Sequence, residues 1–194
     1  MNNLEIKRQF FHLFFGIVIV ILLKFGIIDK WILLYLILAG IIVSILSKRM
    51  KIPVIYWFLQ NFERSHDLEK FPGKGVITYL MGAFLVSLFF PAGIAMPAIL
   101  ILAFGDSISH IFGIHYGKRK HLLNDKKFIE GSIAGFIAAF IGALVFIPWN
   151  EAFFAAFFAM AAEAIESKLG RAQVDDNISI PMVAAIVIKI VRVF

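Results

Sequence analysis

Six acidic residues lie inside or at the ends of long apolar segments, where an ionised side chain is costly. They are Asp106, Glu130, Glu163, Glu166, Asp175 and Asp176. Because charged groups in such segments are rare unless they are paired or used, each is a candidate functional group. Carboxylates that converge repel one another and need a cation, and acid oxygens with a neighbouring amide, Asn177, suit Mg²⁺ or Mn²⁺. These residues predict a divalent metal site.

A basic loop, Lys118–Lys127, separates two of these acids along the chain. Its five cationic residues are Lys118, Arg119, Lys120, Lys126 and Lys127. Lysine ammonium groups bind phosphate as compact point charges. Carboxylates that hold a hard metal ion, next to lysines that hold phosphate, are the groups that phosphoryl or nucleotidyl transfer requires.

Each of these groups also has a structural interpretation. Asp106 and His110 are one helical turn apart and could pair with each other. Glu163 and Glu166 could form a solvated helix end, and Asp175 and Asp176 could cap the last helix. The turn Pro72–Gly75 contains Gly73 and Lys74 but lacks the spacing and hydroxyl of a P-loop, so a backbone contact to phosphate and a plain turn both stay open.

A second set of polar residues recurs along one face of the first helix. Glu5, Arg8 and His12 are three and four residues apart, and Gly16 continues that face. Arg8 and His12 could bind a phosphate or a lipid headgroup from this position. The alternative is an ion pair between Arg8 and Glu5 beside a histidine at the membrane interface.

The elements that must position these groups are apolar helices. Of the 194 residues 61% are hydrophobic and 16% are charged, which is typical of a polytopic membrane protein. The sequence predicts one all-α membrane domain over residues 1–194 with about seven transmembrane helices and no cleaved signal. Its seven apolar stretches are Phe10–Leu23, Trp31–Leu46, Val76–Phe90, Ala92–Phe112, Ile133–Ile147, Ala152–Ala162 and Ile178–Phe194.

The basic residues predict how this bundle is oriented. With the N-terminus inside, 15 of the 19 basic residues face the cytosol, as the positive-inside rule requires. Residues 47–75 then form a cytosolic interfacial helix and loop, and residues 113–130 form a cytosolic basic loop. The acids fall at the same cytosolic ends of their helices. If the organism is a prokaryote, the location is the cell membrane.

Composition also limits the partners. No basic stretch sits on a soluble module, so nucleic acid is not an expected partner, and without cysteine there is neither a disulfide nor a thiolate metal site. Small residues recur along one helix at Gly131, Gly135, Ala138 and Gly142, which indicates close helix packing. Such faces permit a homodimer without requiring one.

Four motifs together resemble the polyprenol kinase family, which includes dolichol and phytol kinases. They are the Glu5–Gly16 start; Gly105-Asp106-Ser107 with Gly113 and Gly117-Lys118; Lys126 to Ser132; and Asp175 to Pro181. They occur in the family's order over nearly the whole chain, and they are similar, more distantly, to CDP-diacylglycerol synthases. In one departure, Phe128 stands where the family has Ser or Thr.

The resemblance implies a CTP-dependent kinase that phosphorylates the hydroxyl of an isoprenoid alcohol, and the choice of CTP over ATP rests on it alone. The implied metal ligands are Asp106, Glu163, Asp176 and Asn177, with Glu166 as an alternative to Glu163. The implied nucleotide-binding residues are Lys118, Lys126, Lys127, Glu130 and Gly131. Lys127 with Asp106 or Asp175 would be catalytic, and Arg8 and His12 would bind the lipid.

Two other functions stay open at this point. A cytidylyltransferase would use the same metal and CTP, but a lipid phosphate would attack the nucleotide and pyrophosphate would leave. A small transporter would use the acids as an ion path, although they cluster toward one face rather than at mid-depth.

Overall fold

The computed structural model describes residues 3–50, 52–121, 124–165, 168–169, 172–173 and 175–193. Within these ranges, the side chains of residues 65, 125, 126, 168, 169, 172 and 173 are outside the description.

Helices make up most of the chain, as the all-α prediction expected. They are α1 (Asn3–Lys24), α2 (Lys30–Ser47), α3 (Pro53–Phe62), α4 (Ser65–Lys70), α5 (Lys74–Phe89), α6 (Ala92–Tyr116), α7 (Ile129–Ala143), α8 (Trp149–Ala164) and α9 (Asp176–Val191). Each of the seven predicted apolar stretches overlaps one of the longer helices, and the predicted interfacial segment contains the short helices α3 and α4.

Two small antiparallel hairpins were not predicted. Strand β1 (Lys120–His121) pairs with β2 (Asn124–Phe128), and β3 (Lys168–Leu169) pairs with β4 (Ala172–Gln173). Both hairpins lie in polar connections between helices, where alternation is too short to show in the sequence. The first converts part of the predicted basic loop into a strand that carries Lys127.

Three of the described helices are long and apolar enough to cross a membrane by length and composition: α1, α2 and α6. Helices α5 and α7 are apolar but shorter. A helix of 16 residues, such as α5, is about 24 Å long, which is less than the hydrocarbon thickness of about 30 Å. The chain is therefore a membrane protein, and the full set of seven spans stays a prediction.

Helix α6 lies at the centre of the bundle, with a continuous buried stretch from Pro97 to Ala103. Helix α7 packs closely on it through the predicted small residues. A Cβ atom on Gly131 would collide with the Ser109 carbonyl oxygen, and one on Gly135 would collide with that of Gly105. The predicted small-residue packing is confirmed within the chain at the glycines, whereas Ala138 is only partly buried.

Consecutive long helices alternate in direction, so their ends divide into two groups. The N-terminal turns of α1, α5 and α9 meet the C-terminal turns of α6 and α8 at one end of the bundle. At the other end, Arg192 links three helices. Its Nε donates to Glu151 Oε2 at 2.8 Å, and its Nη2 donates to the Gly93 carbonyl at 3.0 Å. That carbonyl has no helical partner because Pro97, four residues later, lacks an N–H.

Candidate functional site

A cavity of about 500 Å³ opens at the end of the bundle where the predicted site residues meet. Three carboxylates from three helices converge in it. One oxygen each of Asp106, Glu163 and Asp176 lies within 4.8 Å of the other two. The residues lie on α6, α8 and α9, and their convergence follows from the alternating helix directions, which bring the C-terminal halves of α6 and α8 beside the first turn of α9.

The Lys127 ammonium group lies between two of these acids. Its Nζ is 2.5 Å from Glu163 Oε1 and 2.8 Å from Asp176 Oδ2. Burial disfavours the charged form, but attraction to Glu163 and then Asp176 outweighs it and holds the pKa of Lys127 above its usual value. Strand β2 positions this lysine at the cavity wall, so the side chain stays cationic and partly neutralises the acidic cluster.

Glu163 is the most enclosed of the three acids, with 2% of its surface exposed. Ser109 Oγ donates to its Oε1 at 3.3 Å. Its second oxygen, Oε2, is buried and has no hydrogen-bond partner in the described structure. A buried carboxylate oxygen without a donor is costly, and it fits an atom that coordinates a cation.

Asp106 faces His12 on α1, with 3.5 Å between Asp106 Oδ2 and His12 Nε2. The histidine ring packs edge-to-face on Tyr79, with centroids 4.4 Å apart. Gly16, on the same face of α1, leaves the space for the Tyr79 ring, because a Cβ atom there would collide with the Tyr79 hydroxyl. The alternative pairing of Asp106 with His110 is wrong, since His110 Nε2 lies 2.9 Å from Glu5 Oε1.

The residues at the start of α9 cap the helix and also provide an oxygen atom that could bind a metal ion. Asp175 Oδ1 accepts from the Asn177 backbone N–H at 3.2 Å, so the predicted capping role of Asp175 is confirmed. The other Asp175 oxygen lies 3.7 Å from Lys74 Nζ. Asn177 Nδ2 donates to Thr78 Oγ1 at 2.8 Å, which leaves its amide oxygen as the atom that could bind a metal ion.

Arg8 and His12 both line the cavity. The predicted ion pair of Arg8 with Glu5 is present, at 3.0 Å. The structure therefore contains the pair given as the structural alternative, and it also places both residues beside the acids.

Other predicted nucleotide-binding residues lie elsewhere. Glu130 Oε2 accepts the backbone N–H groups of Lys118 at 3.1 Å and Arg119 at 3.2 Å, and so ties the start of the basic loop to α7. Neither Lys118, Glu130 nor Gly131 is among the described residues that line the cavity. The side chain of Lys126 and all of Glu166 fall outside the described residues. Roles for Lys118, Lys126, Glu130 and Gly131 in nucleotide binding, and for Glu166 in metal binding, stay predictions.

An aromatic wall, formed by Phe11, Phe15, Phe58, Phe62 and Tyr79, was missed by the sequence reasoning. Phe58 and Phe62 are one turn apart on α3, and their ring centroids lie 4.9 and 5.4 Å from that of Phe11 on α1. Four-residue spacing on an amphipathic helix was a visible signal, but its partner helix was not. The cavity thus has a charged part and an apolar part, which suits a ligand with a polar group and an apolar tail.

Lys74 and Glu63 also line the cavity without having been assigned to the site. The carboxylate of Glu63 accepts the backbone N–H of Gly73 at 2.7 Å and so holds the turn that starts α5. Gly73 has φ of 80°, a conformation that favours glycine. The turn Pro72–Gly75 is therefore built into the wall of the site.

The fold and the site together define a mostly helical membrane protein with a carboxylate–lysine centre at one end of its bundle. The chain is 34% identical to the uncharacterized protein MJ1137 of Methanocaldococcus jannaschii, over 95% of this chain and 93% of that protein. It belongs to the same family as that protein. An uncharacterized protein of Rickettsia prowazekii is 31% identical over 56% of this chain and 54% of its own length.

A more distant similarity connects the chain to a protein with a named activity. It is 26% identical to CTP-dependent diacylglycerol kinase 1 of Schizosaccharomyces pombe, over 64% of this chain and 63% of the kinase. No protein-family model matches the chain, and no solved structure matches it significantly.

Proposed function

We propose that this protein is a CTP-dependent lipid kinase that phosphorylates the hydroxyl of an isoprenoid alcohol. The observation that carries the proposal is the cluster of Asp106, Glu163 and Asp176 around Lys127 in a cavity with an aromatic wall. The distant similarity to a CTP-dependent diacylglycerol kinase supports a lipid kinase and CTP as the donor. The isoprenoid substrate, of the dolichol, polyprenol, phytol or geranylgeraniol type, is supported by the motif resemblance alone.

The donor set of the cluster fits a divalent metal ion. Three carboxylates within 4.8 Å of one another, one with a buried oxygen lacking a partner, match the preference of Mg²⁺ or Mn²⁺ for oxygen ligands. Asp106, Glu163 and Asp176 would hold the ion, with the amide oxygen of Asn177. A bound ion of this kind neutralises the charge of the phosphates during transfer.

Lys127 serves two roles in this proposal. In the structure its ammonium group balances Glu163 and Asp176. A divalent ion would compete for the same carboxylate oxygens, and the ammonium group would then be free to contact a phosphate oxygen beside them. Lysines at phosphoryl-transfer sites commonly make that contact.

The lipid hydroxyl oxygen attacks the γ-phosphorus of CTP, the bond to the β-phosphate oxygen breaks, and CDP leaves. The hydroxyl proton passes to a carboxylate of the cavity. Asp106 is the better candidate for this base than Asp175, because both oxygens of Asp175 are engaged by the start of α9 and by Lys74. A base must lie within hydrogen-bond reach of the proton it accepts, and Asp106 faces the cavity.

The lipid tail would lie along the aromatic wall between α1 and α3. Helix α3 exposes Val54 and Trp57 on the side away from the buried Leu59, as expected of a helix at the membrane interface. The alcohol would then present its hydroxyl at headgroup level, beside the acids.

The membrane arrangement that accompanies this function has seven spans in one domain, with the N-terminus and residues 47–75 and 113–130 in the cytosol. CTP would reach the cavity from that side. In a prokaryote the location is the cell membrane, and a homodimer is compatible with the helix faces.

The test uses the purified protein in detergent with Mg²⁺ and CTP labelled on the γ-phosphate. Isoprenoid alcohols and diacylglycerol are offered separately. Label in an isoprenoid phosphate supports the full proposal, and label in diacylglycerol alone supports the kinase but overturns its substrate. Transfer of base-labelled CTP to a lipid phosphate would instead establish a cytidylyltransferase.

A further inference from the structure

The buried carboxylate of Glu5 gathers cationic side chains at the edge of the cavity. Glu5 is 8% exposed, and it accepts from both Nε and Nη2 of Arg64, at 3.2–3.3 Å. Arg8 Nη2 lies 3.0 Å from Glu5 Oε1, and His110 Nε2 lies 2.9 Å from the same atom. One carboxylate thus orients two permanent positive charges and a histidine that come from three different parts of the chain.

The two arginines and the histidine face the cavity, whereas the carboxylate that orients them does not. Arg8, Arg64 and His110 are among the described residues that line the cavity, and Glu5 is not. Asp67 also lines this region, and with Glu5 it offsets the charge of the two arginines. Each guanidinium group nevertheless has more N–H donors than its contacts with Glu5 use, so donors remain for a ligand in the cavity. Arginine forks of this kind bind phosphate oxygens by paired hydrogen bonds.

The position of Arg8, Arg64 and His110 relative to the carboxylate cluster follows from the directions of α1 and α6. On α1, Arg8 lies one turn before His12, and on α6, His110 lies one turn after Asp106. Because the two helices run in opposite directions, His12 contacts Asp106 while His110 reaches the level of Arg8 and Glu5. The arginine group is therefore about one helical turn, roughly 5 Å, nearer the end of the bundle than Asp106.

We infer that Arg8, Arg64 and His110 form an anion subsite, oriented by Glu5, that binds a phosphate group of a ligand held beside the Asp106 cluster. The inference rests on the proposed function for the identity of that ligand. Two ligands carry the required chemistry: the polyphosphate chain of the nucleotide and the phosphomonoester of the lipid product. Arg64 gives the subsite a contribution from the α3–α4 connection, which no motif in the sequence indicated.

The experiment measures equilibrium binding to the full-length protein in detergent micelles with three probes: Mg²⁺–CTP, Mg²⁺–pyrophosphate, and phosphatidate in mixed micelles. The variants are Arg64→Gln and Arg8→Gln. The matched control is Arg192→Gln, which removes an arginine paired with a buried glutamate at the opposite end of the bundle. Each test variant should weaken binding of at least one probe by about tenfold or more, the effect of losing a charge-assisted pair.

The probes separate the two sources of the phosphate. Weaker CTP and pyrophosphate binding with unchanged phosphatidate binding assigns the subsite to the nucleotide, and the reverse assigns it to the lipid. Unchanged binding of all three probes in both variants overturns the subsite, as does an equal loss in Arg192→Gln. If the unmodified protein binds pyrophosphate but not CTP, and the arginine variants weaken that binding, the proposed function fails while the subsite stands. If it binds none of the probes, the subsite fails as well.

Discussion

Asp106 is the side chain on which the proposed reaction depends most directly. It is a predicted metal ligand and the preferred base, and in the structure its described partner is His12 at 3.5 Å. Replacing Asp106 by Asn keeps the size of the side chain and removes its charge. We expect kcat to fall by about a hundred- to ten-thousandfold, because both metal binding and proton acceptance are impaired.

The control for this substitution is Asp29→Asn. Asp29 caps α2 at the other end of the bundle through the Ile32 N–H, and asparagine caps as well as aspartate does. Thermal unfolding in detergent should show both variants folded. Normal activity of Asp106→Asn would remove Asp106 from the mechanism.

Lys127 competes with a metal ion for the oxygens of Glu163 and Asp176, since its ammonium group contacts both. Replacement of Lys127 by Met should therefore raise the affinity for Mn²⁺, in the absence of nucleotide, by about tenfold or more, because breaking a buried ion pair no longer opposes metal binding. Electron paramagnetic resonance of free Mn²⁺ measures this directly. The variant should also lose thermal stability without metal and regain it with Mn²⁺, whereas an unchanged or weaker Mn²⁺ affinity would contradict the shared site.

Glu63 lies outside the predicted spans, between α3 and α4, and its carboxyl group is partly buried. Burial raises the pKa of Glu63, although the Gly73 N–H opposes the shift. Ionised Glu63 thus lowers the stability of the folded protein at neutral pH, and this penalty disappears as the pH falls through the raised pKa toward the unfolded value of 4.5. Glu63→Gln should raise the melting temperature at pH 7 and have little effect at pH 4. Glu69→Gln, at an exposed position on α4, is the control. A loss of stability in Glu63→Gln at pH 7 would contradict the prediction that ionised Glu63 destabilises the folded protein.

At the scale of elements, the contact between α5 and α9 sets the position of Asn177. Pro181 leaves the Asn177 carbonyl without its helical donor, and that carbonyl lies directly against Gly82. Gly82→Ala should force the two helices apart and cost about 1–3 kcal/mol of stability. Activity should fall together with stability, because Asp176 and Asn177 move with α9.

The control for Gly82 is Gly93, near the start of α6. A Cβ atom at Gly93 would meet only Arg192 Nη1, at an ordinary contact distance of 3.8 Å. Gly93→Ala should therefore leave the melting temperature nearly unchanged. If both alanine variants melt alike, the close approach at Gly82 does not limit the packing of α5 and α9.

Some of these elements could be predicted and others could not, for a physical reason. The helices were predicted from apolar runs. The convergence of Asp106, Glu163 and Asp176 was predicted from the alternating directions of consecutive helices, which does not require knowing which helices pack against each other. The contributions of Arg64, Lys74 and Phe58 depend on which helices touch, and apolar faces without a distinctive pattern do not specify that. Likewise, the hairpin that carries Lys127 is held by backbone pairing over too few residues to be visible in the sequence.

At the scale of the whole molecule, the proposal requires the site end of the bundle to face the cytosol, since CTP is there. The chain contains no cysteine, so a thiol reagent reacts only with the cysteine that is introduced. His66→Cys and His115→Cys place exposed thiols at the site end. At the other end, Ile27→Cys places one in the connection between α1 and α2, and Asn150→Cys places one in the first turn of α8.

A membrane-impermeant thiol reagent applied to intact cells should label Ile27→Cys and Asn150→Cys and spare the other two, which should react only after the membrane is opened. The expectation follows from the 15 of 19 basic residues placed on the cytosolic side, because lysine and arginine near helix ends are retained there. The same pattern tests α2 and α7 as single crossings, because α2 lies between Ile27 and His66 and α7 lies between His115 and Asn150. Labelling of all four variants in intact cells would show that neither α2 nor α7 crosses the membrane, and the reverse pattern would place the cavity away from cytosolic CTP and exclude the proposed kinase.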